Sequence, residues 1–102
     1  MAEYRLSAEA KDELTAGVSF YDSEYPGLGQ EFAIEVRRLC RLIAGSPVAG
    51  IELRPGVRRR ILRRFPYSIL YTSNTGDVLI LAVAHQSRQP GYWIHRAQDD
   101  TE

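Results

Sequence analysis

Two clusters of side chains in this 102-residue chain could do chemistry. The denser one places five arginines within seven positions, Arg58, Arg59, Arg60, Arg63 and Arg64. A guanidinium is a planar fork that grips carboxylates and phosphates, and it neither takes nor gives a proton near neutral pH. The run therefore reads as an anion clamp for nucleic-acid phosphate or for an acidic protein segment, or, more plainly, as a charged edge strand protected from aggregation. The second cluster is His85-Gln86-Ser87-Arg88-Gln89-Pro90-Gly91-Tyr92-Trp93-Ile94-His95-Arg96. In it His85 could act as a general acid or base, Arg88 could steady phosphorane charge, and Tyr92 or Trp93 could stack on a base. A lone tryptophan in such a segment also commonly pins it to the core.

Composition limits these options. Thirteen basic and thirteen acidic residues give a formal charge of zero, which weakens a nonspecific nucleic-acid role. Lys11 is the only lysine, so the cationic surface suits clamping anions better than moving protons. The single cysteine, Cys40, excludes an internal disulfide and a thiolate metal cluster, and its place between Leu39 and Leu42 marks it as a core residue. Two histidines ten positions apart match no usual ligand spacing, so no metal is expected. No cofactor is expected either, because phosphate-binding glycine loops, a nucleophile elbow and a Cys-His pair are all missing from the sequence. No apolar stretch approaches the roughly 20 residues that cross a bilayer, and the first residues do not resemble a secretory signal, so the expectation is a cytoplasmic chain.

The elements that must position these clusters follow from periodicity. Residues from Ala2 to Leu6 alternate as a short strand, and Ser7 is a natural N-cap for a helix with Glu9, Asp12 and Glu13 in its early turns. Ala10, Leu14, Val18 and Tyr21 form its apolar stripe until Tyr25-Pro26-Gly27 interrupts. Phe32, Val36, Leu39, Cys40 and Ile43 define a second helix ending near Gly45, with Glu31, Glu35, Arg38 and Arg41 off the stripe. The period then changes to two. Val57 to Phe65 predicts a strand with Arg59 and Arg63 on one face and Arg58, Arg60 and Arg64 on the other. Tyr67 to Ser73 predicts the next, and Asn74-Thr75-Gly76-Asp77 a tight turn. Val78 to Ala84 is apolar throughout, as befits a central strand covered on both sides. The expected fold is one α+β domain over residues 1–102, with a short strand and a helical hairpin on one face of a small, mainly antiparallel sheet.

Taken together, Val57-Arg58-Arg59 leading into Arg64-Phe65-Pro66-Tyr67-Ser68-Ile69-Leu70-Tyr71, and the H-x-x-R-x-P-x-x-W-x-x-R ending from His85 to Arg96, resemble the RelE/ParE toxin family over about Tyr4 to Arg96. The resemblance implies a toxin of a bacterial type II toxin–antitoxin module, bound by a cognate antitoxin as a heterodimer or larger hetero-oligomer. ParE-like members are not nucleases and instead poison DNA gyrase; RelE-like members cleave mRNA on the ribosome. The strand lysines of the RelE pattern are missing here, which favours the ParE-like branch. Some nuclease members use a Glu, Arg and His set, for which Glu52, Arg59 or Arg63, and His85 would serve, with Tyr71 or Tyr92 nearby. The residues expected to meet target or antitoxin are Arg58, Arg59, Arg63, Arg64, Arg88, Trp93 and Arg96, with apolar surface near Tyr21 and Tyr25 for an amphipathic antitoxin segment. A third expectation is a degenerate, non-toxic relative kept as a binding module.

Overall fold

The computed structural model describes residues 3–100, with side chains described as far as residue 97; Ala2, the first residue of the expected strand, lies outside that range. The elements are β1 (Glu3–Leu6), α1 (Ala8–Glu24), α2 (Leu28–Gly45), β2 (Ile51–Arg54), β3 (Val57–Ile61), β4 (Tyr67–Asn74), β5 (Asp77–His85) and α3 (Ile94–Asp100), with a 3-10 turn at Pro47–Ala49. The five strands form one sheet in the order β1-β5-β4-β3-β2. Only β1 runs parallel to its neighbour, pairing Tyr4 with Val78 and Leu6 with Ile80. The α+β architecture expected from the sequence is therefore the one observed, with β2 and α3 as elements that its periodicity did not show.

Ser7 caps α1 as its type requires, its Oγ accepting a hydrogen bond from the Ala10 N–H at 3.1 Å. The hairpin of α1 and α2 lays its apolar stripe on one face of the sheet. Phe32, Val36, Cys40 and Ile43 of α2 meet Ile69, Tyr71 and Ile80 of β4 and β5, all almost fully buried. Each such aliphatic or aromatic side chain contributes about 1.5–3 kcal/mol through burial. Tyr21, Phe32, Phe65 and Tyr67 close one end of this core as an aromatic cluster, with ring centroids 4.7–5.2 Å apart for the Tyr21–Phe65, Tyr21–Phe32 and Phe32–Tyr67 pairs.

The central strand β5 is apolar on both sides because the sheet has a second core. Val57, Leu70, Leu79, Leu81, Ala82 and Ala84 form it, and Trp93 and Ala97 cover it from the chain's last segment. A bulge makes the non-alternating run of β5 fit. Leu70 pairs with Ala82 but Tyr71 with Ile80, so Leu81 is an extra residue and both Leu81 and Ala82 reach the second face. The turn between β4 and β5 takes positive φ at Thr75 (48°) and Gly76 (89°), the twist that a two-residue hairpin needs.

Two expectations are corrected. The arginine strand does not continue to Phe65: β3 stops at Ile61, and Leu62 and Phe65 turn back into the first core. The cause is Glu35, which was expected off the apolar stripe but is only 7% exposed. Its Oε2 accepts hydrogen bonds from the Arg63 N–H (2.8 Å) and the Arg64 N–H (3.1 Å), holding the chain in a turn where a strand would need those donors elsewhere.

Candidate functional site

The second face of the sheet, away from the hairpin, carries a cleft of about 360 Å³ between β3, the end of β5 and the segment leading to α3. Strand parity places Arg59 there, because Arg59 pairs with Leu70, a residue of the second core. Arg59 is half-buried, and its Nε makes no hydrogen bond among the described residues. Arg88 enters from the loop after β5, its guanidinium 3.9 Å from the centre of the Tyr92 ring and its Nη1 3.7 Å from Glu13 Oε2. The guanidinium is thus positioned by these two contacts, while about half of the Arg88 side chain stays exposed. Leu53, Leu70, Ala84 and Trp93 supply an apolar floor.

His85, at the end of β5, is among the residues that line the cleft, but strand parity turns its ring to the hairpin face of the sheet, the face of its partner Tyr67 in the first core. It pairs across the sheet with Tyr67, and its ring packs edge-on against that tyrosine at 5.0 Å. The Ser87 N–H donates to His85 Nδ1 at 2.9 Å, and the Ser87 hydroxyl lies 2.8 Å from the same atom. Because the backbone donor needs an acceptor, Nδ1 carries no proton in this arrangement, and the neutral ring keeps its proton on Nε2.

The remaining members of the expected acid–base set are elsewhere. Glu52 pairs with Arg58, one position out of phase with Arg59, and so projects toward the hairpin side of the sheet. Its Oε2 accepts from the Gly56 N–H at 3.3 Å inside the β2–β3 turn. Tyr71 is fully buried in the first core, its hydroxyl donating to the Pro47 carbonyl. The Tyr92 hydroxyl donates to Glu13 Oε2 at 2.7 Å, and burial followed by that hydrogen bond raises its pKa far above the ordinary phenol value. Among the residues lining the cleft there is neither a carboxylate nor a lysine.

Other expected binding residues are committed to the fold. Arg58 Nη1 donates to the Gly50 carbonyl (2.7 Å) and the Val48 carbonyl (3.3 Å), fixing the chain ahead of β2. Arg64 forms an exposed ion pair with Glu31 at 2.6 Å, and such pairs contribute about 0–1 kcal/mol. Arg63 is exposed beside α2, away from the cleft. Trp93 is 7% exposed and serves as a cover of the second core. Tyr21 is partly buried in the aromatic cluster, whereas Tyr25 is 70% exposed.

Glu13, which sequence reasoning had placed only as an early-turn acid, organises the back of the site. β1 pairs only with Asp77 to Ile80, so the second half of β5 would face outward unpaired on that edge. Glu13 Oε1 accepts from the Val83 N–H at 3.0 Å, and Arg96 Nη1 donates to the Leu81 carbonyl at 3.0 Å. Arg96 also grips Glu13 with two bonds, at 3.0 and 3.1 Å. The pair stands in for a missing stretch of strand. Burial works against the Arg96 charge, but the hydrogen bond and charge of Glu13 outweigh it and hold the guanidinium pKa above its ordinary value. The signal was in the sequence: Glu13 lies three residues after Ala10 and next to Leu14, inside the apolar stripe, where a carboxylate needs partners.

Among the described residues no helix is long and apolar enough to cross a membrane, and no cluster of three or more His, Cys, Asp or Glu side chains could hold a metal ion. A comparison with curated protein sequences gives no match. Among solved structures the chain is similar to a chain of the chromosomal ParDE TA system from P. aeruginosa, with a TM-score of 0.71 and 20% sequence identity over 83% of this chain and 95% of that one. At that identity the likeness speaks for the fold. Residues 4–90 match the family model described as the ParE toxin of the type II toxin–antitoxin system parDE, and over that span the chain belongs to the ParE toxin family.

Proposed function

We propose that this ParE-family toxin arrests growth by binding DNA gyrase in the cytoplasm, without cleaving RNA, and that a cognate antitoxin neutralises it. One observation carries the choice of mechanism. The cleft gathers Arg59 and Arg88 but no carboxylate base: Glu52 and the His85 ring are turned to the hairpin side of the sheet, and the Tyr92 proton is committed to Glu13. In-line attack of a 2′-hydroxyl needs a base, an acid and charge stabilisation together. Two guanidiniums over an apolar floor supply only the last of these, and they suit an acidic protein surface equally well.

The test is induction of the chain alone in a bacterium, with growth, plasmid supercoiling and new RNA 5′ ends followed together. The expected result is growth arrest with relaxed plasmid, retained by His85→Ala and Glu52→Ala and lost with paired Arg59→Glu and Arg88→Glu substitutions. New RNA ends within translated codons that vanish in His85→Ala would overturn it and establish the ribonuclease. Arrest with unaltered supercoiling would remove gyrase as the target.

A further inference from the structure

The cleft on the second face of the sheet has the dimensions of a small-molecule site. Its volume of about 360 Å³ falls within the range of about 300–1,000 Å³ in which compact ligands are held. Leu53, Leu70, Ala84 and Trp93 give it an apolar floor. The charged side chains that line it are Arg59 and Arg88, with no carboxylate beside them in the lining. A ligand seated there meets apolar surface with its body and positive charge with its head.

The two guanidiniums differ in how well the fold satisfies them. Arg88 stacks on the Tyr92 ring and approaches Glu13. Arg59 has no such support: among the described residues it forms no ion pair, and its Nε–H is shut off from water without an acceptor. Its neighbours across the two strand pairings are Ile51 and Leu70, whose side chains accept no hydrogen bond. Arg96 also has an unpartnered Nε, but its two Nη atoms already grip Glu13. Buried donors are nearly always paired, so one left over at the wall of an apolar cleft marks a missing acceptor.

We propose that the cleft binds a small organic carboxylate with an apolar body, of the arylalkanoic acid class, as a free metabolite. Turning the Arg59 fork about its terminal torsions presents Nε and one Nη side by side, the arrangement that grips a carboxylate with two bonds, while Arg88 adds charge from the loop. The hydrocarbon body covers Leu70, Ala84 and Trp93. A nucleotide would lay its ribose hydroxyls on that apolar floor and strip their hydration without replacing it, which selects against a phosphate ligand of that kind. The inference stands on the cleft alone and holds whichever target the toxin has. An occupant would also cover the two arginines that the proposed target surface needs.

The test titrates the purified full chain with hydrocinnamate, read by the fluorescence of Trp93, the chain's one tryptophan, and by the Arg59 Nε–H signal in heteronuclear NMR spectra. Saturable binding is expected, with a dissociation constant of about 1 mM or tighter for a ligand of this size. The Arg59 Nε–H signal should move downfield as it gains an acceptor. Acetate has the head without the body and hydrocinnamamide the body without the charge, and each is expected to bind at least about tenfold more weakly. Arg59→Gln and the half-exposed Arg88→Gln are expected to melt like the parent and to weaken hydrocinnamate binding, the first by at least about tenfold. Glu52→Gln, on the other side of the sheet, should bind like the parent. Absence of saturable binding, equal binding of hydrocinnamate and its amide, or tighter binding of inorganic phosphate would overturn the proposal. Parent-like binding by either arginine variant would overturn it as well, and none of these results bears on the toxin assignment.

Discussion

Replacing Glu13 by alanine tests the claim that a side-chain pair substitutes for missing strand. Glu13 accepts one bond from the Val83 N–H, one from the Tyr92 hydroxyl and two from Arg96, and the two charged side chains are 14% and 10% exposed. Its removal leaves the Arg96 charge largely buried without a counter-ion and the Val83 N–H without an acceptor. Breaking a buried pair in this way costs about 3–5 kcal/mol, and the residual exposure argues for the lower end. For a domain of this size about 3 kcal/mol lowers the melting temperature by about 12 °C or more. Thermal melts of the parent, Glu13→Ala, Arg96→Met and the double variant close a thermodynamic cycle. Because the double variant no longer strands a charge, it is expected to be more stable than the sum of the singles by about 2 kcal/mol. A drop below about 4 °C for Glu13→Ala, or strict additivity in the cycle, would refute the strand-substitute account.

Tyr71→Phe deletes a hydroxyl that donates to the Pro47 carbonyl at 2.6 Å and accepts from the buried Gly50 N–H at 3.2 Å, and urea unfolding should register a loss of about 2 kcal/mol at unchanged m-value. A smaller loss than about 0.5 kcal/mol would mean that the donor finds another acceptor. Gly29→Ala should destabilise despite alanine's better helix propensity, because the new Cβ would stand 2.3 Å from the Val18 carbonyl oxygen, forcing α1 and α2 apart. Gly45→Ala, with nothing within 4 Å, should be neutral or stabilising in the same melt, and an identical response at both positions would contradict the close approach. The Cys40 thiol is pushed up to about 12 by burial, partly offset by Arg41. Its folded pKa exceeds its unfolded one, so its contribution to stability is intact below about pH 9 and is lost as pH rises toward 12. Alkylation at pH 8 should follow global unfolding, and labelling of the native chain at the rate of a free thiol would show that the site opens locally.

Much of the fold was legible from one-dimensional pattern. The hairpin helices and the two central strands announce themselves because their buried residues recur at the period of the element, as Phe32, Val36, Cys40 and Ile43 do in α2. What was illegible has a common physical origin in long-range polar contacts. β3 ends where Glu35, 28 positions earlier in the chain, takes up the Arg63 N–H. β2 escaped notice because all four of its residues are exposed, so burial imposes no pattern on them. In the site, alternation correctly sent Arg59 and Arg58 to opposite faces, but Glu52 comes from the unnoticed β2, and its pairing with Arg58 turns it away from Arg59. Arg96 looked like a ligand-binding cation because its partner, Glu13, lies 83 residues away.

That span also governs when the molecule can assemble during synthesis. β1 is the first strand made, yet its only neighbour in the sheet is β5, with Tyr4 opposite Val78, and the edge of β5 beyond β1 closes only when Arg96 arrives. The hairpin of α1 and α2 can form early from local contacts, but the sheet edge has no early equivalent, because its bonds join the beginning of the chain to its end. The second core stays uncovered until Trp93 and Ala97 have left the ribosome. A nascent chain therefore carries neither the finished cleft nor its floor, and translation runs to the last helix before that surface exists.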